Sequence, residues 1–432
     1  MAIRELLPNR DDIQQLKEKP QADLLAGLSV AVVALPLALA FGVASGVGPA
    51  AGMASAIVAG IVAAIFGGCR VQVTGPSGAM TVVLIPIVAK YGPHSVFVIG
   101  FIAGLILIAL AATGAATIFR YIPLSVVEGF TLGIALLIGI QQIPMALGVK
   151  ADSTSVVTSA WDALRHTSNI NVGAVIISIS TVAFIVLARM VNSHFPAGIV
   201  AVIASTGVVW IFGITVPDVG AIPSQLSWSG IPKFTELPLH ELLIPALSVA
   251  GLAAIEGLLC ATVADNMANI PAHNPNREMF GQGISNLITP LFGGVPATAV
   301  IARTAVNIRS GGVSRLSTFS HSIFLWLAMI CAAGMVSHIP LATLAGVLIA
   351  TAFKMVETKR LREFISRTPH HFYTVFTTAF ATLFLDLFKA VALGIFLAGL
   401  ISFIQSRRSQ LRHESEVAEV ESVLEEILHQ DK

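Results

Sequence analysis

The chain has 432 residues, of which 55% are hydrophobic and only 11% are charged, and its formal net charge is +1. Soluble domains carry about 25% charged residues, so this composition excludes an ordinary water-exposed protein. The near-zero net charge also excludes a basic nucleic-acid-binding surface. Long apolar runs without residue-by-residue alternation predict membrane-spanning helices, in which each crossing satisfies its own backbone hydrogen bonds.

In chain order, the first predicted element is a polar cytosolic segment, residues 1–22, that forms a lead-in helix and ends near Pro20. No charged side chain follows between Asp23 and Arg70, which is long enough for two crossings of about 20 residues each. Other apolar runs extend the membrane domain to residue 405, and hydropathy predicts about 12 to 14 crossings. These runs are Val71–Ala89, Phe101–Phe119, Gly129–Val149, Met190–Pro217 and Leu316–Phe353.

The distribution of Lys and Arg predicts the orientation, because cytosolic loops hold the excess of basic residues. It predicts a plasma (inner) membrane protein with both termini in the cytoplasm and with external loops near residues 150–170 and 213–240. Residues 406–432 form an acidic cytosolic tail with helical spacing of apolar residues, either a surface helix or a dimerising helix. The predicted internal loops are marked by Arg120, Arg189, Arg277, Arg309, Arg315 and the basic residues of 354–367.

Two stretches of the chain have similar sequence features and indicate an internal repeat. Leu28–Ala31 recurs as Leu247–Ala250, and at a similar distance after each lies a glycine–proline break, Val73–Met80 and Gly293–Val300. Each break predicts a half-helix that starts in mid-membrane after an extended segment, residues 69–73 or 291–295. Backbone N–H groups at such a helix start favour an anion. The alternative is a pair of kinked packing helices without a ligand.

Two ionisable residues lie inside apolar sequence. A charged, unpaired carboxylate at Glu256 costs about 2.5–3.5 kcal/mol, so Glu256 is expected to be neutral, paired or facing water, and able to carry a proton. Arg303 is expected two turns into the second half-helix, where it adds positive charge to the anion site, pairs with Glu256, or reaches the cytosolic surface. Polar groups near these sites come from Thr74, Ser77, Thr298 and Gln142.

No nucleophile–base constellation, phosphate loop or metal-ligand spacing is present in the sequence, and Cys69, Cys260 and Cys331 are scattered. The sequence therefore predicts a non-enzyme without a cofactor.

Several motifs resemble the SulP (sulfate permease) family of anion transporters. They span residues 23–405 and comprise residues 34–42, Thr74–Gly78, Asn274–Gly283, Leu291–Thr298 and Ala302–Asn307. The resemblance implies an all-α integral membrane protein of 14 segments in two inverted repeats of seven, about 23–215 and 240–405. It implies the fold shared with uracil permeases, with core and gate domains, an elevator-like shift of the core, and a homodimer.

In such a fold a small anion, of the sulfate, bicarbonate or dicarboxylate class, binds between the half-helices of segments three and ten. The residues expected there are Thr74, Gly75, Pro76, Ser77 and Gly78 from the first break, and Val295, Pro296, Ala297, Thr298 and Arg303 from the second. More weakly expected cavity-lining residues are Leu35, Ala38 and Gln142.

Coupling is expected through Glu256 and Cys260. Sodium-coupled relatives carry a Thr one turn after the acidic residue, where this chain has Cys260, and a hard cation needs several oxygen ligands. Proton symport is therefore favoured over sodium. A sodium-coupled bicarbonate symporter, an exchanger and a passive anion channel remain alternatives. The family usually ends in a STAS domain, and residues 406–432 do not form one.

Overall fold

The computed structural model describes residues 3–117, 123–149, 156–165, 170–192, 195–234, 237–356, 369–385, 389–390, 392–401, 403 and 407. After a 3-10 helix, Ile3–Leu6, the first helices are α1 Arg10–Gln15, α2 Pro20–Ala44, α3 Pro49–Phe66, α4 Gly78–Tyr91, α5 His94–Thr113, α6 Leu124–Gln141, α7 Ile143–Ala146 and α8 Val156–Arg165. The later ones are α9 Val172–Val191, α10 Ala197–Phe212, α11 Leu239–Ala268, α12 Pro275–Ile288, α13 Ile301–Arg309, α14 Arg315–Val336, α15 Leu341–Met355, α16 Pro369–Phe384 and α17 Ala392–Ile401. A second 3-10 helix, Thr289–Phe292, and two short strands, β1 Thr74–Gly75 and β2 Thr298–Ala299, complete the described elements.

Helix boundaries follow local chemistry. Pro20, Pro49 and Pro275 occupy the first turns of α2, α3 and α12, where the missing N–H costs nothing. Gly114 ends α5 in the left-handed conformation that glycine adopts without strain. The charge-free stretch after Asp23 forms the two predicted crossings, α2 and α3.

The membrane-protein prediction is confirmed in its main features. Within the described ranges, 7 helices are long and apolar enough to cross a bilayer, and α4, α10 and α15 are shorter apolar helices. The total of 14 segments stays a prediction.

The chain divides into two compact units. The first holds the described residues of 3–117 and 134–356, and it contains both glycine–proline breaks. In the second, the start of α6 packs on α16 through Gly129 and Gly133, spaced as in the small-residue pairs of membrane helices. A Cβ atom on Gly129 would lie 2.4 Å from the Val375 carbonyl oxygen, so only glycine permits this approach.

In the first unit, α12 lies along α5 at very short range. A Cβ atom at Gly104 on α5 would lie 2.6 Å from the backbone nitrogen of Leu287 and 2.7 Å from the carbonyl oxygen of Gly283 on α12. This close packing matters because α12 carries three of the side chains that support the breaks.

The polar segment before α2 docks onto this unit through Asp12. Asn9 and Asp12 form a capping box at the start of α1, and the Asp12 carboxylate is buried. It accepts hydrogen bonds from Arg277 Nη2 at 2.6 Å and from Arg315 Nε at 2.9 Å. Arg315 also donates to the carbonyl oxygens of Ala64 and Gly68, so one carboxylate ties together the ends of α1, α3, α12 and α14.

Arg277 and Arg315 are expected in internal loops on the basis of their charge. Both are buried in the structure. Arg277 and Arg315 are 7% and 6% exposed, and both are paired with Asp12. Asp23 is buried as well, and its carboxylate accepts from the backbone N–H groups of Val313 and Ser314 and from the Ser314 hydroxyl. Arg120, most of the basic residues of 354–367 and the tail beyond 407 lie outside the described residues.

The Asp12 cluster predicts a pH-dependent stability. Burial raises the pKa of Asp12, but the hydrogen bond from Arg277, the Asn9 N–H and the charges of both arginines outweigh it, so the pKa lies below its ordinary value of 3.8. A lowered folded-state pKa means that the stabilisation is complete well above pH 3.8 and is lost as the pH falls through the lowered value. We expect Asp12→Asn to destabilise the protein by about 3–5 kcal/mol at neutral pH, because two buried guanidinium groups lose their counter-charge.

Thermal unfolding of the purified protein in detergent measures this effect. Asp11→Asn is the matched control, because Asp11 lies on the same short helix but is exposed. The difference between Asp12→Asn and wild type should shrink as the pH approaches that at which Asp12 is protonated. Equal melting temperatures for the two variants at pH 7 would contradict the assignment.

Candidate functional site

The two glycine–proline breaks meet each other inside the first unit. Strands β1 and β2 pair antiparallel, with Thr74 opposite Ala299 and Gly75 opposite Thr298. The Val300 N–H extends this ladder by donating to the Val73 carbonyl at 2.9 Å. The sequence predicts two matched breaks, but their direct pairing is seen only in the folded chain.

The first break starts a helix as predicted. Ser77 caps α4, and its hydroxyl accepts a hydrogen bond from the Met80 N–H at 3.2 Å. The Ser77 carbonyl accepts from the Thr81 N–H, whereas the Gly78 and Ala79 N–H groups have no acceptor among the described residues. The start of α4 is therefore a buried, positively polarised end of a helix dipole.

The second break differs from its prediction. Helix α13 begins at Ile301 and not at Pro296, and residues Thr289–Phe292 form a 3-10 helix where an extended chain is expected. The backbone of residues 297–299 pairs with other partners and cannot enter a helix. Arg303 is consequently in the first turn of α13, not two turns inside it.

A polar stripe on α12 holds the breaks in place. The Asn286 amide donates to the Ala297 carbonyl and accepts from the Ala297 N–H, both at 2.8 Å, and so imitates a neighbouring strand. One turn earlier, Gln282 Nε2 donates to Thr74 Oγ1 at 2.9 Å and to Glu278 Oε1 at 3.0 Å. Asn286 and Gln282 thus act on different breaks from the same face of one helix.

Glu278 completes this stripe as a buried acceptor. Its carboxylate accepts from the Gly68 and Cys69 N–H groups and from the side-chain amides of Gln72 and Gln282. No described cation forms an ion pair with it. None of these three residues is predicted from the sequence as a site residue, although Glu278 and Gln282 lie in the Asn274–Gly283 motif. Their spacing of i, i+4 and i+8 places the polar groups on one helix face.

Other helices satisfy the remaining backbone groups of the breaks. Ser55 on α3 donates to the Val295 carbonyl at 2.7 Å, and Asn307 on α13 donates to the Val71 carbonyl at 2.8 Å. Thr304 Oγ1 accepts from the Val73 N–H at 3.0 Å. Irregular backbone at membrane depth needs such partners, since an unsatisfied group in hydrocarbon costs several kcal/mol.

Glu256 lies directly beside the first break. The Ser77 hydroxyl donates to Glu256 Oε2 at 3.1 Å, which links the half-buried carboxyl group on α11 to the capping residue of α4. Cys260, one turn later, lies 3.4 Å from Thr304 Oγ1. The structure therefore brings Glu256, Cys260, the first break and α13 together.

Arg303 is fully buried and reaches the first break from the second. Its Nη2 donates to the Pro76 carbonyl at 3.1 Å, whereas Nε and Nη1 have no hydrogen-bond partner in the described part of the chain. The pairing with Glu256 that the sequence left open is not formed. A guanidinium group with two donor atoms that lack a described partner, next to the start of α4, is favourable for an anion.

The other predicted residues have less specific surroundings. Thr298 is buried, and its hydroxyl has no partner among the described residues. Gln142 is buried at the start of α7, and neither atom of its amide is paired within the described ranges. The Ala38 carbonyl packs against Gly52 on α3, and Leu35 is half-buried on α2. A cavity-lining role for Gln142, Leu35 and Ala38 stays a prediction.

Residues 21–378 match the model of the sulfate permease family. The chain belongs to this family. It is 34% identical over 391 residues to YvdB of Bacillus subtilis, a proposed sulfate transporter, and the alignment covers 88% of this chain and 73% of YvdB. It is 30% identical over 408 residues to the bicarbonate transporter BicA of a Picosynechococcus strain, covering 91% of this chain and 72% of BicA.

Solved structures confirm the fold. The transmembrane domain of a cyanobacterial BicA superimposes with a TM-score of 0.80 at 30% identity, over 87% of this chain and 98% of that domain. Murine Slc26a9, an anion transporter solved in its inward-facing state, matches with a TM-score of 0.83 at 17% identity, over 93% of this chain and 72% of that one. The chain is therefore a membrane anion transporter and not an enzyme, as the sequence predicts.

The contact between the two breaks predicts that Gly75 cannot be replaced without loss of transport. A Cβ atom at Gly75 would lie 2.5 Å from Arg303 Nη1, so Gly75→Ala must displace the guanidinium group. Because the obstructing atom is the end of a flexible side chain, we expect the protein to fold and anion uptake to fall by about 10-fold or more, which corresponds to about 1.4 kcal/mol.

Uptake of labelled sulfate and bicarbonate into proteoliposomes measures this loss. Gly334→Ala on α14 is the control, because a Cβ atom there meets no other atom within 4 Å. Undiminished uptake by Gly75→Ala would show that the position of Arg303 does not matter.

Proposed function

We propose that this transporter carries a small oxyanion together with a proton, and that the anion binds between the start of α4 and the β2–α13 break. The observation that carries the proposal is the contact between Ser77 and Glu256. Through it, an ionisable carboxyl group touches the helix start at which the anion is expected. Sulfate, bicarbonate and dicarboxylates all present the oxygen acceptors that this site suits.

Anion binding is supported by the unpaired donors around the two breaks. Arg303 contributes a full positive charge and two unpartnered donor atoms, and α4 contributes its first N–H groups. A buried arginine that lacks an internal counter-charge is costly unless a ligand supplies one. A small anion at this point satisfies the guanidinium group and the helix start at once.

Proton coupling follows from the charge of Glu256. Two negative charges about 5 Å apart repel each other by roughly 3 kcal/mol at an effective dielectric constant of about 20. Protonation of Glu256 removes a repulsion of this order, so the anion binds best when a proton is already present. By linkage, the bound anion favours protonation equally, and the two ions move together.

Sodium coupling is the second candidate, because the BicA relatives are bicarbonate transporters and similar over most of this chain. Around Glu256 the described contacts offer the Ser77 hydroxyl, and Cys260 provides sulfur where a hard cation needs oxygen. These contacts favour the proton.

Movement of the site is proposed to follow an elevator-like shift in a homodimer, with both termini in the cytoplasm. This proposal is supported by the hydrogen bonds that join five elements of the site, so that they are expected to move as one body. These elements are β1, β2, α11, α12 and α13. We propose that they belong to a core domain, within a transport domain that extends from residue 23 to about 405.

The coupling proposal predicts the behaviour of Glu256→Gln. The amide keeps the size of the side chain and can still accept from Ser77, but it cannot gain or lose a proton. We expect a pH gradient to drive no accumulation of the anion in proteoliposomes of this variant. Exchange of internal for external anion should persist, because it requires no net proton movement.

Glu18→Gln, an exposed carboxylate before α2, serves as the control and should accumulate the anion like wild type. Full pH-driven accumulation by Glu256→Gln would disprove proton coupling. Accumulation driven by a sodium gradient alone would establish the second candidate instead.

Ligand-induced stabilisation identifies the anion. A ligand at 100 times its dissociation constant stabilises the folded state by about 2.7 kcal/mol, so the true substrate should raise the melting temperature. Sulfate, bicarbonate, fumarate and chloride are compared on wild type and on Arg303→Gln. We expect one oxyanion to stabilise wild type and to lose this effect in the variant. Equal stabilisation of both proteins would place the anion elsewhere.

A further inference from the structure

A cluster of positive charge lies away from the two breaks, at the ends of three helices. Arg189 is in the last turn of α9, Arg309 ends α13, and Lys354 is in the last turn of α15. Helix α15 packs on α9, and the charges of Arg189 and Arg309 both act on the Lys354 ammonium group, so the three cations belong to one region. The Lys and Arg distribution predicts each of these ends on the cytosolic side, and the fold brings them together.

Within the described ranges, this cluster has no internal counter-charge. None of the three residues forms an ion pair or a side-chain hydrogen bond with another described residue. The negative end of its own helix dipole stabilises each cation, but only by about 0.3–1 kcal/mol, and this effect falls off within one turn. Lys354 lies within the repulsive field of two arginines, so an anion that approaches it is favoured.

An apolar cleft continues from the cluster into the protein. It lies between α2, α9, the start of α10 and α15, and its apolar lining includes Val33, Leu37, Ile185, Phe195 and Val347. Arg189 and Thr351 line the same cleft, and Lys354 follows Thr351 by three residues on one face of α15. The cleft therefore includes Arg189, and Lys354 lies next to it on α15.

The residues around the cluster are apolar and exposed. On α9, Leu187, Met190 and Val191 are 60%, 77% and 91% exposed, and on α15 Phe353 is 66% exposed. Apolar side chains of this kind, on helices long or apolar enough for a bilayer, suit contact with lipid. A ligand that reaches the cations here must tolerate both a charged and an apolar environment.

We propose that Arg189, Arg309 and Lys354, with the apolar cleft between α2, α9, α10 and α15, bind one anionic phospholipid. The phosphate group contacts the cations, and part of an acyl chain enters the cleft. Basic pockets between membrane helices recognise anionic headgroups in this way. A free phosphate ion satisfies the cations but leaves the apolar cleft and the exposed rim unused, which is why the structure favours a lipid.

The test is native mass spectrometry of the full-length protein with equal amounts of phosphatidylglycerol and phosphatidylcholine. We expect wild type to retain phosphatidylglycerol preferentially. The variant Arg189→Gln/Arg309→Gln/Lys354→Gln should lose this preference, by about five-fold for each cation removed. The matched control is Arg10→Gln/Lys17→Gln/Lys19→Gln, which removes the same charge from exposed residues near α1 and should retain the preference.

A second variant tests the cleft without changing the charge. A Cβ atom at Gly198, which lines the cleft, meets no other atom within 4 Å, so Gly198→Leu adds an apolar side chain at the cleft without a clash. We expect it to retain less phosphatidylglycerol than wild type. Glycerol phosphate, which lacks acyl chains, should compete poorly with the lipid.

Three results would overturn the proposal. The first is an unchanged lipid preference in the triple variant or, if that variant does not fold, in Lys354→Gln alone. The second is unchanged retention by Gly198→Leu. The third is glycerol phosphate displacing the lipid as well as phosphatidylglycerol itself does, which would identify a site for free phosphate.

Discussion

Every structural feature of the site depends on one constraint: backbone polar groups at membrane depth must find partners inside the protein. The chain breaks two of its helices at Gly75–Pro76 and Val295–Pro296 and thereby frees several N–H and carbonyl groups. The breaks satisfy part of this need by pairing with each other as β1 and β2. The Asn286 side chain hydrogen-bonds Ala297 as a neighbouring strand would, because its amide group can donate and accept at once. The positions of α3, α12 and α13 follow from these bonds.

Two charged side chains near the breaks, Glu278 and Arg303, are buried without an ionic partner among the described residues. Glu278 is buried with four N–H donors and no described cation, whereas Arg303 is buried with one carbonyl acceptor and no described carboxylate. The Glu278 carboxylate already accepts four hydrogen bonds from the protein, so it has little capacity to bind a ligand. Arg303 retains two free donor atoms and therefore the capacity to bind an anion. Asp12 shows the contrasting solution, in which one carboxylate pairs with two arginines and holds helix ends together.

The places where the protein leaves its own charges unsatisfied are thus the places where a ligand is expected. At the breaks the free charge is enclosed and contacts Pro76, next to the Ser77 that binds Glu256, which suits a small ion whose binding depends on a proton. At the ends of α9, α13 and α15 the free charge is exposed and bordered by apolar side chains, which suits a lipid. The same physical argument, an uncompensated cation in a medium of low polarity, leads to different ligands because the surroundings differ.

The sequence by itself determined the membrane class, the family and the location of the first half-helix, since uninterrupted apolar runs and the motifs at the breaks are local features. It also identified Glu256 and Arg303, because ionisable residues are conspicuous in apolar sequence. Only the tertiary structure decided that α13 starts at Ile301, that Arg303 contacts Pro76 and not Glu256, and that Asp12 neutralises Arg277 and Arg315. These depend on partners more than 200 residues away in the chain, and the competition among such partners for each backbone group cannot be evaluated from local pattern.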